Sequence, residues 1–361
     1  MLETDKKRVP NLFSYFTQNL KKMKAIYLNK YGNSDAVFGI KETEIPQAGK
    51  GELIVKVHSF GLNFADVVAR RGLYPEAPKN PAVLGYDVAG TIHALGEGVE
   101  GFKIGQRVTA LTRFGGYAEY AKTMQEGVAV IPDDMDFATA TALATQGCTA
   151  YFCAYESVKL HEGDRVLIHA AAGGVGSLLV QMAKHEKCLV YGTASGKKLD
   201  YLKSIGVDFP IDYTQQDFSQ IIKDSHQRID IAFDSVGGST FKKSMHILNA
   251  GGRMVTFGAA EQINGNNTNK LRALKTLFSF GIFSPIQMLM TSRAIIGVNM
   301  LKIADSRPHV FKHCLDAVVL MAQQGIITPR IDKIFNAKDI ALAHDYLESR
   351  QSIGKVVMEW Q

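Results

Sequence analysis

Cysteine, long apolar runs and basic clusters are all scarce in this sequence. Its 361 residues include four cysteines, and no two of them lie within four positions of each other. That spacing excludes a cysteine-rich zinc lobe and a disulfide scaffold, and it favours a reducing cytoplasm as the working compartment. No window holds the roughly 18 consecutive apolar residues that a transmembrane helix needs, so we expect no transmembrane segment.

The excess of positive charge is modest, and half of it lies near the N-terminus. The net charge is +6, and the first 22 residues carry five basic against two acidic side chains. The rest of the chain has no basic stripe, which argues against nucleic-acid binding. We interpret residues 1–22 as an N-terminal extension. Apolar residues recur in it at helical spacing, which is compatible with peripheral contact with a membrane surface as well as with a loosely docked arm.

The pattern of predicted elements changes once, near residue 147. Earlier in the chain, short strands are broken by glycine and proline, which indicates a β-rich domain. The strands predicted there are 24–28, 53–58, 88–95, 106–110, 117–121 and 128–131. Later in the chain, strands alternate with helices, which is typical of a doubly wound parallel sheet. Its predicted strands are 165–169, 188–193, 209–211, 229–234, 253–257 and 294–298.

The C-terminal part of the chain adds two helices and one strand to this pattern. We predict helices at residues 308–324 and 338–348 from their apolar spacing. A last strand at 355–360 is expected to return to the first domain. The chain is therefore predicted to be an α/β protein with two domains.

A glycine-rich turn joins the first strand of the parallel sheet to the next helix. Gly173 and Gly176 stand at the second and third glycine positions of the dinucleotide-binding fingerprint, and Ala171 takes the first. Gly173 lets the backbone approach a pyrophosphate, Gly176 lets the helix pack closely on the strand, and the helix N-terminus presents free N–H groups. A glycine-lined turn without a ligand is the alternative, but the flanking strand and helix favour a nucleotide site.

The end of the second strand indicates which nicotinamide cofactor binds. An enzyme that uses NAD usually has Asp or Glu there, to bind the ribose hydroxyls. This chain instead continues with Ser195, Lys197 and Lys198, and Tyr213 follows the third strand. A hydroxyl and cations favour a 2′-phosphate, and therefore NADPH. The alternative is that the two lysines are the solvated start of the next helix.

Several further motifs follow one another in a recognisable order. They occupy residues 61–66, 71–75, 84–90, 98–108, 171–176, 234–238 and 354–357. In this order they resemble the medium-chain dehydrogenase/reductase superfamily, and within it the zinc-independent quinone oxidoreductase branch. Within that branch, residues 192–195, residues 210–213 and the long insert 261–293 look most similar to the VAT-1 homologues of synaptic vesicles.

This resemblance implies the domain organisation, the cofactor and its contacts. It implies a GroES-like β-rich catalytic domain formed by residues 23–146 and 300–361, and a Rossmann domain formed by residues 147–299. It also implies a homodimer, since the edge strand at 294–298 is apolar and β-branched enough to pair with its copy. The residues expected around NADPH are Thr149, Ala171, Gly173, Gly174, Val175, Gly176, Ser195, Lys198, Tyr213, Val236, Gly237, Phe257 and Gly258.

The resemblance also locates the positions where related alcohol dehydrogenases hold a catalytic zinc. Asn63 stands in place of the first cysteine ligand, and Tyr86 and Asp87 stand in place of a His-Glu pair. None of them offers the thiolate or imidazole that zinc prefers, so we expect no metal. Histidines in strand-like runs, such as His169, are interpreted as core or edge residues. Without zinc there is no Lewis acid to polarise an alcohol, which disfavours alcohol dehydrogenase chemistry.

Hydride transfer to an acceptor that needs little activation is then the favoured function. A quinone or an α,β-unsaturated carbonyl meets that requirement, because the negative charge is delocalised as it forms. Asn63 and Tyr74 are the candidate catalytic residues, as donors to the developing oxyanion, and Tyr74 is also a candidate proton donor. Asp66 is expected to be a support residue. The alternative is a VAT-1-like binding or trafficking protein that keeps the fold but has little turnover.

Overall fold

The structure is a computed structural model that describes residues 21–259 and 279–360. The predicted N-terminal extension therefore lies almost entirely outside the described residues, and so does more than half of the insert at 261–293. The described strands are β1 (Lys22–Leu28), β2 (Phe38–Glu44), β3 (Glu52–Leu62), β4 (Ala82–Val83), β5 (Asp87–Leu95), β6 (Arg107–Leu111), β7 (Tyr120–Met124), β8 (Val128–Val130), β9 (Arg165–Ile168), β10 (Leu189–Ala194), β11 (Phe209–Asp212), β12 (Ile229–Asp234), β13 (Leu248–Thr256), β14 (Ala294–Gly297), β15 (Ile331–Asn336) and β16 (Lys355–Glu359).

Helices connect these strands mainly in the second half of the chain. They are α1 (Phe64–Arg70), α2 (Phe137–Ala142), α3 (Cys148–Tyr151), α4 (Gly174–His185), α5 (Leu199–Ser204), α6 (Phe218–Asp224), α7 (Gly238–Ile247), α8 (Pro285–Thr291), α9 (Met300–Ser306), α10 (Pro308–Gln323) and α11 (Ile340–Glu348). Two π-helical turns, Leu143–Gly147 and Phe152–Glu156, flank α3. No helix within the described ranges is both long and apolar enough to cross a bilayer.

Six parallel strands form the sheet that the alternating pattern predicts. Their order is β11-β10-β9-β12-β13-β14, and every neighbouring pair in it is parallel. The order reverses between β9 and β12, so these two strands flank the topological switch point where such sheets bind ligands. The predicted α/β fold is confirmed.

The β-rich part contains a seven-stranded sheet, ordered β15-β16-β3-β5-β6-β8, with β7 also paired to β3. A smaller sheet, β2-β1-β4, accompanies it. The last strand, β16, does return to this part, because it pairs antiparallel with β3 and parallel with β15. As a result, residues from the end of the chain lie beside residues of the first motif, 61–66.

Two predicted boundaries differ from the structure for identifiable reasons. The strand predicted at 117–121 begins only at Tyr120, because the Tyr117 N–H donates to Leu84 O at 2.9 Å and Ala118 forms an isolated bridge with Ala25, both outside the ladder with β3. β13 begins at Leu248, five residues before its predicted start. Its first half includes Gly251, which is exposed, and Gly252, which is buried, and neither glycine contributes to an apolar pattern. The sequence did not predict β15. Only two of its six residues are isoleucine, so its apolar pattern is weak, and its partner β16 lies beyond a helix, so no hairpin indicates it.

Candidate active site

A cavity of about 1620 Å³ lies at the carboxyl ends of the parallel strands. It is bordered on the other side by the first motif of the β-rich part. Residues of both parts therefore face one space. The predicted site residues that line it are Asn63, Tyr74, Thr149, Gly173, Gly174, Val175, Gly176, Ser195, Lys198, Tyr213, Val236, Phe257 and Gly258.

The glycine turn forms one wall of the cavity. Gly173 is extended and precedes α4, so the helix begins three residues earlier than its apolar spacing suggests. A methyl group on Gly176 would lie 2.3 Å from the carbonyl oxygen of Ala170, and one on Gly174 would lie 1.8 Å from Oε1 of Gln146. Close packing against backbone therefore requires glycine at position 176, whereas at position 174 the obstacle is a side chain. The free N–H groups at this helix start suit a pyrophosphate.

Ala171, by contrast, lies behind the wall instead of in it. It is fully buried, and its N–H donates to the carbonyl oxygen of Thr193 at 3.0 Å. This bond ties the turn to the end of β10. Ala171 therefore shapes the turn from the core side, where a small side chain takes the place of the first fingerprint glycine.

The turns after β12 and β13 form the part of the wall next to the glycine turn. The Asp234 carboxylate accepts from the N–H groups of Val236 at 2.7 Å and Gly237 at 3.1 Å. Gly237 has a φ of 78°, a left-handed conformation that favours glycine. Asp234, the acidic residue of the 234–238 motif, thus stabilises the turn that follows it, and Val236 of this turn lines the cavity.

Ser195, Lys198 and Tyr213, the residues predicted near a 2′-phosphate, all line the cavity. Lys198 has a second task that the sequence did not indicate. Its Nζ donates to the carbonyl oxygens of Arg350 and Ser352, both at 2.7 Å. Burial lowers the pKa of Lys198. The lysine thus anchors the segment before β16 to the parallel-sheet part.

Sequence reasoning missed several residues that line the cavity. They are Gln146, His169, Thr193, Lys243, Arg350 and Ser352, among others. Arg350 and Ser352 arrive through the segment before β16, where the N–H of Gly354 donates to Ala172 O at 2.9 Å. No local motif could signal this approach, because the two segments are far apart in the chain. Gln146 sits in a π-helical turn, a feature often found at functional sites.

His169 is a core residue with satisfied hydrogen bonds, as interpreted from its strand. Its ring nitrogens lie 3.0 Å from Thr193 Oγ1 and 2.8 Å from Ser244 Oγ. Burial lowers its pKa, so the imidazole is neutral at physiological pH. The ring orders the end of β9 beside the glycine turn.

Asn63 lies at the opposite end of the cavity, directly before α1. Its amide Nδ2 donates to Asp87 Oδ1 at 2.6 Å, and its Oδ1 accepts from Lys355 Nζ at 2.9 Å. Lys355 also forms a fully buried ion pair with Asp87. Both ends of the Asn63 amide are therefore held, while its side chain still borders the cavity.

Asp66 supports Asn63 from within α1, as expected. Its Oδ2 accepts from the backbone N–H of Asn63 at 2.8 Å. Complete burial and the nearby Asp87 carboxylate raise the pKa of Asp66, whereas the hydrogen bond from Asn63 and the charge of Lys355 lower it. The resulting pKa is about 7. The carboxyl group is therefore partly protonated at neutral pH.

This raised pKa predicts a pH-dependent stability that Asp66→Asn removes. A folded pKa of about 7 against an ordinary value of 3.8 means that the unfolded chain releases this proton first. The contribution is fully present below about pH 4, declines as pH rises, and is lost above about pH 7. We expect the unfolding free energy of Asp66→Asn, minus that of the wild type, to increase by up to about 4 kcal/mol between about pH 4 and pH 8. Urea unfolding measures this difference, and a pH-independent difference would contradict it.

Tyr74 lies at the rim of the cavity, where its ring meets Tyr86 edge to face with centroids 6.4 Å apart. Burial raises the pKa of Tyr74, so its phenol keeps its proton at neutral pH. A protonated hydroxyl can donate a hydrogen bond to a group in the cavity. Nearby, Arg113 bridges Glu76 and Asp305 at 3.1 Å each, which ties the loop after Tyr74 to α9.

The donors at the three zinc-ligand positions do not fit a catalytic zinc. Asn63 offers an amide, Tyr86 a phenol whose pKa is raised by burial, and Asp87 a carboxylate already paired with Lys355. A buried ammonium beside them opposes a divalent cation. In residues 21–259 and 279–360, no group of three or more His, Cys, Asp or Glu side chains is arranged to hold a metal ion.

Two family models match the chain. The alcohol dehydrogenase GroES-like domain matches residues 49–133, and the zinc-binding dehydrogenase matches residues 205–358. These ranges fall on the β-rich part and on the parallel sheet with the returning C-terminal segment, respectively. Both halves of the cavity thus belong to matched segments or lie next to them.

Curated relatives cover nearly the whole chain. The synaptic vesicle membrane protein VAT-1 homolog of Mus musculus is 34% identical over 339 residues, which is 93% of this chain and 83% of the relative. The 2-haloacrylate reductase of Burkholderia sp is 28% identical over 342 residues, or 92% of this chain and 98% of the relative.

Solved structures agree with these relatives in fold. A quinone oxidoreductase from Coxiella burnetii superposes with a TM-score of 0.78 at 27% identity, covering 94% of this chain and 100% of the other. A mycobacterial protein crystallised in complex with NADPH superposes with a TM-score of 0.80 at 28% identity, covering 93% and 99%. The similarity therefore extends over both parts of the chain and over the cavity between them.

Proposed function

Because this chain belongs to the medium-chain dehydrogenase/reductase superfamily and is an oxidoreductase of that family, we propose that it is an NADPH-dependent, zinc-independent enzyme. The proposed reaction transfers hydride to a quinone or an α,β-unsaturated carbonyl. One observation carries the proposal: a single cavity joins a glycine turn suited to a dinucleotide with an oriented amide, Asn63, whose surroundings do not fit zinc.

The cofactor proposal rests on two groups of residues that line the cavity. The turn at Gly173, Gly174 and Gly176 packs closely against the protein, and we propose that the N–H groups at the start of α4 donate to a pyrophosphate. We propose that Ser195, Lys198 and Tyr213 bind the 2′-phosphate. The remaining proposed contacts are Thr149, Val175, Val236, Phe257 and Gly258, which line the cavity, whereas Ala171 and Gly237 do not line it and shape the turns behind it. When bound, the cofactor supplies the hydride.

The catalytic task of the chain itself is to orient the acceptor and stabilise its developing negative charge. We assign this to the amide N–H of Asn63 and to the hydroxyl of Tyr74, which border the cavity. Both are neutral donors in a partly buried setting, where hydrogen bonds to a developing oxyanion are strong. We also assign to Tyr74 the role of proton donor, which its protonated phenol supports.

Acceptor-dependent oxidation of NADPH tests the proposed function directly. The purified protein is mixed with NADPH, and a quinone or an enal is added while the NADPH absorbance is followed. We expect loss of absorbance with at least one acceptor class, and weaker binding of NADH than of NADPH. The similarity to a 2-haloacrylate reductase and to a quinone oxidoreductase supports testing both classes.

A second candidate function is binding or trafficking with little turnover. It is favoured by the similarity to the synaptic vesicle membrane protein VAT-1 homolog. Tight NADPH binding without oxidation by any quinone or enal would support this candidate and contradict the first.

All four cysteines are buried and unpaired, which supports our proposal of a reducing cytoplasmic location.

We further propose that the protein is a homodimer formed through β14. Among the described residues, this strand forms one edge of the six-stranded sheet, and the side chains of Ile286, Leu289 and Met290 on α8 are exposed. Pairing with a second copy would continue the sheet and cover this apolar surface.

A charge on β14 is expected to break this dimer. Ile295 is partly exposed on the edge strand, so Ile295→Lys would place an ammonium group between two copies. We expect sedimentation to give twice the chain mass of 39.6 kDa for the wild type and the monomer mass for the variant. Ile334→Lys, on the exposed edge strand β15 of the other sheet, is the matched control and should stay dimeric. A monomeric wild type would contradict the proposal.

A further inference from the structure

Lys355 is a fully buried lysine at the start of β16, and β3 is built to admit it. A methyl group on Gly61 of β3 would lie 2.3 Å from Lys355 Cε and 2.6 Å from Asp87 Oδ2. Gly61 pairs with Val357 across the two strands. The glycine therefore leaves the space through which the lysine side chain reaches Asp87.

The ammonium of Lys355 closes a ring of three side chains. It pairs with Asp87 and donates to Asn63 Oδ1 at 2.9 Å, while Asn63 Nδ2 donates to Asp87 Oδ1 at 2.6 Å. The amide oxygen must point at the cation, which fixes the amide in one of its two flipped orientations. One N–H of Asn63 donates to Asp87, and we assign the second N–H to a group in the cavity that Asn63 lines.

Stability is a weak explanation for this buried ion pair. Removing two charges from water costs several kcal/mol per ion, and apolar replacements of buried pairs are often neutral or stabilising. The charges here do something an apolar pair would not do, because a cation on the amide oxygen draws electron density from the amide nitrogen. The remaining N–H then becomes a stronger donor, and burial prevents water from weakening the effect.

We propose that Lys355 is a positioning residue for the reaction, which orients and polarises the Asn63 amide toward the oxyanion that develops on the acceptor. This inference rests on the proposed function, since it assigns the oxyanion to the same cavity. Lys355 itself does not touch the acceptor, and it acts through Asn63. Its positive charge strengthens a hydrogen bond without a metal in the site.

Three variants test whether the Lys355 ammonium polarises the Asn63 amide or serves only to neutralise the Asp87 carboxylate. Lys355→Met removes the ammonium but leaves the Asp87 carboxylate buried and unpaired, which is expected to reduce stability. The double variant Lys355→Met with Asp87→Asn removes both charges and keeps an oxygen to accept from Asn63 Nδ2. Lys184→Met is the matched control, because it removes another ion-paired lysine, one whose partner is Asp208. Thermal unfolding and NADPH fluorescence verify folding and cofactor binding in each.

The double variant decides the question. We expect it to unfold near the wild-type temperature and to bind NADPH normally, but to show a kcat about 10- to 100-fold lower with KM little changed. That is less than the about 100- to 1,000-fold expected for losing an oxyanion donor itself. Lys184→Met should keep the wild-type kcat. A double variant that recovers the wild-type kcat would overturn the proposal, because the ammonium would then serve only to neutralise Asp87.

A binding measurement distinguishes failure of this inference from failure of the proposed function. 4-Nitrophenolate carries a delocalised oxyanion, and its absorbance reports binding to the protein loaded with NADP⁺. We expect the wild type to bind it about 10-fold or more tightly than the double variant does. If no acceptor oxidises NADPH but this difference persists, the proposed function fails and the role of Lys355 stands. If turnover occurs and neither kcat nor phenolate binding responds to the double variant, the role of Lys355 fails alone.

Discussion

Replacing Asn63 by alanine is expected to lower kcat by about 100-fold or more, with NADPH affinity almost unchanged. Removing one preorganised donor to an oxyanion typically costs about 100- to 1,000-fold in kcat. The variant leaves the Lys355–Asp87 ion pair in place, so the fold around the site should persist. Steady-state kinetics with the best quinone or enal, together with an NADPH fluorescence titration, measure both quantities.

The matched control for this variant is Asn33→Ala. Asn33 also lines the cavity, but it is exposed at the rim and its side chain makes no capping bond to the following turn. Its loss should change kcat by less than about threefold, since exposed surface substitutions usually have small effects. If Asn63→Ala kept the wild-type kcat while Asn33→Ala lowered it, the oxyanion site would lie elsewhere in the cavity.

Replacing Gly176 by alanine is expected to have the largest effect on cofactor binding. The added methyl group would lie 2.3 Å from Ala170 O and 2.8 Å from Ala171 Cα. Both are backbone atoms of the turn, so the start of α4 has to move away from it. Overpacking of this kind costs about 1–3 kcal/mol. If the whole displacement falls on the glycine turn, NADPH affinity drops about 5- to 150-fold, which calorimetric titration measures.

Two other glycines provide controls for Gly176→Ala. A methyl group on Gly174 meets only the side chain of Gln146, which can rotate away, so Gly174→Ala should lose less affinity than Gly176→Ala. Gly297→Ala has no heavy atom within 4 Å of the added methyl group and should bind NADPH as the wild type does. Equal affinity in all three variants would show that the turn is not the pyrophosphate site.

The sequence predicted those parts of the molecule that local patterns encode. A run of β-branched residues followed by Gly173 and Gly176 indicates strand, turn and helix, because each segment spans only a few residues. The same holds for the alternation of strands and helices, and for the corner of Ser195 and Tyr213. Even the identity of the residues at the zinc-ligand positions could be read in order along the chain. These features decided the fold class and the cofactor hypothesis.

Tertiary structure alone decided which distant residues meet around the site. Lys355 lies 292 positions from Asn63, yet its ammonium orients that amide. Lys198, predicted as a phosphate ligand, also binds the carbonyls of Arg350 and Ser352 and so brings the C-terminal segment to the cavity. Such contacts depend on strand register and on side-chain packing across two sheets, and neither leaves a periodic signal in the sequence. The sequence by itself therefore determined the glycine turn and the lack of a thiolate or imidazole at positions 63, 86 and 87, whereas the fold determined how the amide at position 63 is held.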